Sequence, residues 1–338
     1  MFMIAIIDRA RLLRTVVLMP ALLSAIFGAA ATALPGQNEP QAVRESLVRN
    51  GEDMPAFLDR LHYQDRHAEV VEAAEVFEAR ASAGNKSDDA AARLLAALRW
   101  RKARAQFIQL ERRYRAGELK ANDLSEHLER ITELTSAAVN VCDDRAQPRF
   151  WWAAALALQA RQQRSLRALA TMRRVRELIG EVLEEDPELA DAHFLMGQLY
   201  RELPGRPLSW GSTRAAVSSA RRAVDLYERQ RAEHPKRFPL PFHAFYLVLA
   251  ENLYERGWSA EERATRATAL REEYERAGDE LARAAVYEGV ARIPRLSDHE
   301  EARRMVDRVL SELSGGARET LRDQLDYRKA QELRAKLR

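Results

Sequence analysis

Residues 186–212 read DPELADAHFLMGQLYRELPGRPLSWGS, and this stretch decides how the rest of the chain is read. Pro187 closes one segment. Ala192, Leu195, Met196, Leu199, Tyr200 and Leu203 then recur at helical spacing, which predicts a helix over 188–203 with one apolar face. Gly197 precedes Tyr200 on it, a small residue before a large one. A second helix is predicted over 213–231, with Ala216, Ala220 and Ala223 on its inner face. Small residues at those positions let two helix backbones approach closely. The pair has the character of a tetratricopeptide unit, in which Pro ends one unit and a small residue precedes a Tyr in the next. His193 stands where that repeat usually carries Trp, and Ala220 where it carries an aromatic, so the unit is divergent.

Outward from this unit the pattern echoes. Residues 247–258 (LVLAENLYERGW) align with 193–204 (HFLMGQLYRELP) through Leu253-Tyr254 and Leu199-Tyr200. Residues 149–160 (RFWWAAALALQA) fit as a preceding first helix. The spacing exceeds the usual period of about 34 residues, which an insertion between paired helices explains. Further helices are predicted over 65–82, 88–114, 124–141, 149–163, 165–185 and 243–256. Asp123 and Glu126 form the capping box expected to open the 124–141 helix. Ala302, Met305, Val306, Val309, Leu310 and Leu313 mark a late helix. Residues 34–64 read as a linker and N-terminal segment, 65–145 as an N-terminal helical region, and 146–338 as the repeat region. Ala, Leu, Arg and Glu dominate, and the 338 residues include only 14 Gly and 12 Pro. The predicted fold class is all-α: a tetratricopeptide-like α-solenoid of stacked antiparallel helix hairpins.

The N-terminus carries a different signal. Arg9, Arg11 and Arg14 precede an uncharged stretch from Thr15 to Ala33, and Ala31-Thr32-Ala33 supplies small residues at the cleavage positions. This reads as a secretory signal peptide cut after Ala33, which places the mature chain in the periplasm. The alternative is an uncleaved inner-membrane anchor. No cysteine follows the stretch to take a lipid. The single cysteine, Cys142, cannot form an internal disulfide and reads as a small buried hydrophobe. The net charge of +3 falls nearer neutrality once the N-terminal arginines are removed, which is not the footprint of a nucleic-acid binder.

Residues 150–310 resemble the T component of tripartite ATP-independent periplasmic (TRAP) transporters, the TatT-like family. The residues that carry the resemblance are DPELADAHFLMGQLYRELPGRPLSWGS, the small residues of the following helix, and LAENLYERGW. Leu203-Pro204-Gly205, with Gly211 before the next helix, is the most specific element. The resemblance implies divergent tetratricopeptide units behind a secretion signal, assembly into homo-oligomers, and helices enclosing an apolar cavity or pore. It also implies a periplasmic solute-binding protein as the partner, in a transport role played by protein–protein interaction. A general cell-envelope scaffold or assembly factor is the alternative reading. Residues 40–145 lie outside the resemblance.

Trp151, Trp152, His193, Phe194, Tyr200, Arg206, Trp210, His243, Tyr246 and Tyr254 are the candidate residues for binding a partner or an apolar small ligand. The loop Leu203–Ser212 is central among them. Pro204-Gly205 predicts a type II-like turn with positive φ at Gly205, Pro207 stiffens the loop, and Ser212 caps the next helix. Arg206 and Trp210 are expected at its surface. The aromatic residues could line a cavity between helices or fill the core.

Catalytic chemistry is not expected. The sequence has no HExxH, CxxC, GxGxxG, Walker loop or GxSxG. His62 and His67 are five residues apart, which on one helix puts them on different faces, so no metal site or cofactor is predicted. A basic run remains: Arg99, Arg101, Lys102, Arg104, Arg112 and Arg113, interleaved with Trp100, Phe107 and Tyr114. It reads either as a face for anionic lipid or an acidic partner, or as a solvated face paired with acids on neighbouring helices.

Overall fold

The computed structural model describes residues 53–83, 89–162, 166–314 and 320–338. The expected signal segment and its cleavage position lie outside the described residues. Among the described residues every regular element is a helix. In chain order these are α1 (Met54–Tyr63), α2 (His67–Ala83), α3 (Asp89–Arg115), α4 (Ala121–Val139), α5 (Ala146–Gln162), α6 (Leu166–Glu185) and α7 (Ala190–Glu202). They continue with α8 (Thr213–Glu233), α9 (His243–Arg256), α10 (Ala260–Arg276), the short α11 (Glu280–Ala285), a 3-10 turn (Tyr287–Gly289), α12 (Asp298–Ser314) and α13 (Leu321–Lys336). The fold is all-α.

Each helix from α2 to α6 packs on the next, as do α7 on α8, α8 on α9, α9 on α12 and α12 on α13. That is the nearest-neighbour order of a helical repeat. The α6 stripe of Val175, Leu178, Ile179, Val182 and Leu183 has no exposed surface. Each such side chain contributes about 1.5–3 kcal/mol by leaving water. The 3-10 turn and α11 pack on α8, and α10 packs on the 3-10 turn. The last helix, α13, returns to touch α3, so the two ends of the array meet.

The centre is built by close approach. Ala216, Ala220 and Ala223 of α8 are buried, and a Cβ on Gly197 of α7 would stand 3.0 Å from the Cβ of Ala220. Asn252 of α9 then ties the pair together. Its Nδ2 donates to the carbonyls of Gly197 at 3.1 Å and of Ala216 at 2.9 Å.

The predicted helices appear within about a turn of their expected bounds. Four elements differ. α1 lies inside the 34–64 stretch read as a linker and N-terminal segment, for which no helix bounds were predicted, with Leu58 and Leu61 buried. α4 begins at Ala121, behind an N-cap Lys120 that makes no side-chain bond. Asp123 therefore falls within the first turn of α4, and its capping box with Glu126 does not form. α10 and α13 lie beyond the predicted helices, because half of the residues that each buries are charged. Arg263 on α10 and Arg322, Asp323 and Asp326 on α13 are buried alongside a few apolar residues.

Those charges belong to interhelical clusters. Arg221 (α8), Arg256 (α9) and Arg263 (α10) meet Glu288 (3-10 turn), Asp298 and Glu301 (α12). Arg221 grips Glu301 through both Nη atoms at 2.8 and 2.9 Å and gives its Nε to Glu288 at 3.0 Å. Three cations and three carboxylates thus close on each other out of water. The arginines hold the Glu288 and Glu301 carboxyls below their usual range against the opposing effect of burial.

The basic run of α3 is likewise consumed by neighbours. Arg101 and Arg104 grip Asp59 of α1, Lys102 and Arg99 reach Glu78 of α2, and Arg112 binds Asp65 in the elbow between α1 and α2. Of its two readings, the paired face is the one the structure displays. Asp65 has φ of +64°, and this left-handed residue breaks the helix between His62 and His67. The two rings consequently lie 5.2 Å apart instead of on separate faces of one helix.

Candidate functional site

The loop from Leu203 to Ser212 is fixed at both ends. Gly211 donates its N–H to the Pro204 carbonyl at 3.0 Å, and Ser212 donates to the Tyr200 carbonyl at 2.7 Å. The Ser212 side chain caps α8 by accepting from the Ala215 N–H at 3.2 Å. Gly211 is required here, since a Cβ would fall 1.8 Å from the Leu203 carbonyl oxygen. Gly205 does not take positive φ, so the expected type II turn is absent. Leu208 and Ser209 instead direct their N–H groups at the Gly205 carbonyl, both at 3.2 Å.

Two side chains leave this frame in opposite senses. Trp210 turns inward, its ring edge-on to Tyr200 at 5.2 Å with the Arg176 guanidinium 5.6 Å from its centroid. Leu208 turns outward and is 55% exposed, beside exposed Arg206 and Pro207. Among the described residues the large exposed hydrophobics are Val141, Leu208 and Val290, and Leu208 is the most open.

Behind Trp210 lies a hollow of about 430 Å³. Its walls come from α6 (Arg173, Arg176, Glu177, Glu184), from Trp210, and from Asp279, Glu280 and Leu281 at the start of α11. Gly180 of α6 also lines it. The sequence singled out Trp210 and Arg206. It gave no signal for Leu208, Gly180 or Glu184, because the hollow is formed by segments about a hundred residues apart.

The other candidates are not gathered with it. Trp151 sits in an aromatic cluster with Phe150, Phe107 and His62. Trp152 is half-buried on α5 under Arg174. Phe194 meets Phe245, which stacks on Tyr227 at 5.0 Å. Tyr246 donates its hydroxyl to Glu228 at 3.0 Å and lies under Arg308, beside a second, more open hollow that also includes Phe238, Pro235 and Pro239. Tyr254 stacks on His299 at 5.4 Å. The aromatic residues are thus spent in separate packing groups and do not surround one void.

His193 is buried, with Nε2 2.9 Å from the Pro187 carbonyl. Burial holds its pKa down at about 4. It therefore keeps a neutral ring that fastens the start of α7 to the preceding turn. His243 opens α9, with Nδ1 3.6 Å from Glu312, and burial lowers its pKa as well. Cys142 is buried, and that burial raises its thiol pKa. Among the described residues no three His, Cys, Asp or Glu side chains converge as a metal-binding group, and no helix is long and apolar enough to cross a membrane. No protein-family model, curated protein or solved structure matches this chain.

Proposed function

We propose that this chain is a non-enzymatic helical-repeat protein that binds a partner protein through the Leu203–Ser212 loop and the hollow behind it. The observation that carries the reading is Leu208, 55% exposed on a loop pinned by backbone bonds at Pro204 and Tyr200. A lone surface leucine is ordinary. One held on a rigid loop, two residues from a tryptophan that walls a hollow, is pre-organised for burial in an interface.

The specific version follows the TRAP resemblance: a periplasmic chain whose partner is a solute-binding protein. The loop is the same Leu-Pro-Gly element on which that resemblance most depends. Apolar ligand binding is not part of the proposal, since the aromatic residues it would need are engaged with one another.

The test is affinity capture from a periplasmic fraction with the full chain and with Leu208→Asp. A solute-binding protein retained by the first and lost by the second, at equal melting temperature, supports the reading. Failure to retain any solute-binding protein contradicts the TRAP version. Retention of envelope-assembly proteins through the same leucine favours the scaffold alternative. Identical capture by both forms contradicts the loop as the docking element.

A further inference from the structure

Gly180 lies well inside α6, where glycine weakens a helix relative to alanine. Packing does not ask for it. A Cβ built there meets a single neighbour within 4 Å, the Leu281 Cδ2 at 4.0 Å, which is ordinary contact. The contrast with Gly197 is direct, because that glycine is pressed against backbone. The missing side chain at Gly180 opens instead onto the hollow that Trp210 walls.

The charges around the hollow are unevenly spent. Glu177 pairs with Arg174 at 3.2 Å, and Glu280 pairs with Arg283. Arg176 is taken up by the Trp210 ring and the Tyr200 hydroxyl. Asp279 uses one oxygen to cap α11 by accepting from Ala282 N–H at 2.7 Å. What remains for an incoming group is the Glu184 carboxylate, the second oxygen of Asp279, the Arg173 guanidinium and the indole. Among the described residues, free acceptors around the hollow outnumber the free cation, and an aromatic wall stands beside them.

From this geometry we infer that the hollow is a recognition pocket for an arginine side chain of the partner protein. The guanidinium lies along the Trp210 indole, over the bare backbone at Gly180, and is held by Glu184 and Asp279. A planar cation suits such a slot better than an ammonium, because it can meet a carboxylate with two donors and an aromatic ring with its face. The inference rests on the reading of the loop and hollow as a docking surface, and it names what the hollow accepts.

The experiment uses the full chain with ¹⁵N-labelled tryptophan and follows the Trp210 indole N–H, which is buried and makes no hydrogen bond. The resonance is assigned by Trp210→Phe. The probes are N-acetyl-arginine amide and, as the opposite charge, N-acetyl-glutamate amide. The arginine probe is expected to shift the Trp210 signal saturably and the glutamate probe to leave it in place. Glu184→Gln should raise the concentration needed by about tenfold, the loss of one charge-assisted contact. Gly180→Ala should abolish the shift while the melting temperature rises, which separates a filled pocket from a damaged fold. A still Trp210 signal, equal shifts with both probes, or an unchanged shift in Gly180→Ala overturns the inference. If Leu208→Asp abolishes partner capture while the arginine probe does nothing, the pocket assignment falls and the docking loop stands. If the probe binds and no solute-binding protein is captured, the pocket stands and the proposed partner falls.

Discussion

Gly197 of α7 lies so close to Ala220 of α8 that any larger side chain on either residue would have to part the two helices. A Cβ on Gly197 would stand 3.0 Å from the Ala220 Cβ and 3.1 Å from the Ala220 nitrogen. The neighbour is backbone and cannot swing aside. Ala220→Leu is therefore expected to cost at least about 1–3 kcal/mol by overpacking. Asn252→Leu should cost a comparable amount, since it removes both bonds that tie α9 to this pair and adds an apolar branch in their place. Urea denaturation of each variant checks the pair.

The buried charge cluster sets a second expectation. Glu301 neutralises Arg221 and Arg263 together, at 2.8 and 2.6 Å. Glu301→Gln leaves two buried guanidiniums short of a counter-charge, with an expected loss of about 3–5 kcal/mol. Glu133→Gln, which removes an exposed i,i+3 pair with Arg130, should cost less than about 1 kcal/mol. The sign with pH follows from the lowered Glu288 and Glu301 carboxyls. Their contribution is complete above the usual glutamate value of 4.5 and is lost as pH falls through the lower folded values. Acid unfolding monitored by circular dichroism should therefore begin at higher pH in Glu301→Gln than in the native chain.

Asp65 joins the first helices to the last. Its carboxylate accepts from Arg112 of α3 at 2.6 Å, and Arg322 of α13 lies 3.5 Å away. Asn tolerates the left-handed backbone as well as Asp does, so Asp65→Asn removes charge without adding strain. Hydrogen exchange is expected to accelerate in the elbow and in α13, with α7 and α8 unchanged. Uniform acceleration, or none, would contradict the role of Asp65 as the tie between the two ends.

His193 gives a pH signature of its own. Burial holds its folded value near 4, against 6.5 for an exposed ring. The unfolded chain therefore takes up the proton first, and stability falls as pH drops from 6.5 towards 4. The loss attributable to this one ring is on the order of 2–3 kcal/mol. His193→Gln keeps a donor for the Pro187 carbonyl and removes the titration. The difference between the two stability curves isolates the ring from the other groups that titrate in the same range. A constant difference across that range would contradict the assignment.

The central helices were legible because their apolar positions recur at helical spacing and small residues mark the contact face. Ala216, Ala220 and Ala223 announced the nesting of α7 and α8 directly. α13 was not legible, because part of its buried face is charged. Arg322 and Asp326 make sense only once α3 and the elbow stand opposite. The elbow itself hid for a similar reason. Nothing in HYQDRH signals that Asp65 turns left-handed, and without that turn His62 and His67 look unrelated. The Leu203–Ser212 loop was visible as a rigid insertion, since Pro and Gly punctuate it. Arg206 is exposed on it as expected, but Trp210, expected beside it at the surface, turns inward and Leu208 takes the outer position. That depends on Tyr200 and Arg176 drawing Trp210 inward and leaving Leu208 in solvent. Gly180 carried no sequence signal at all.

Two glycines of neighbouring helices do opposite things, and thermal denaturation of their alanine variants side by side separates the two roles. Gly197→Ala should lower the melting temperature by several degrees, because the new methyl collides with the α8 backbone. Gly180→Ala should raise it by roughly 2–4 °C, the gain from replacing glycine in an unobstructed helix position. A neutral Gly197→Ala would mean that α7 and α8 do not nest as described, and a destabilising Gly180→Ala would mean that no open hollow lies in front of α6.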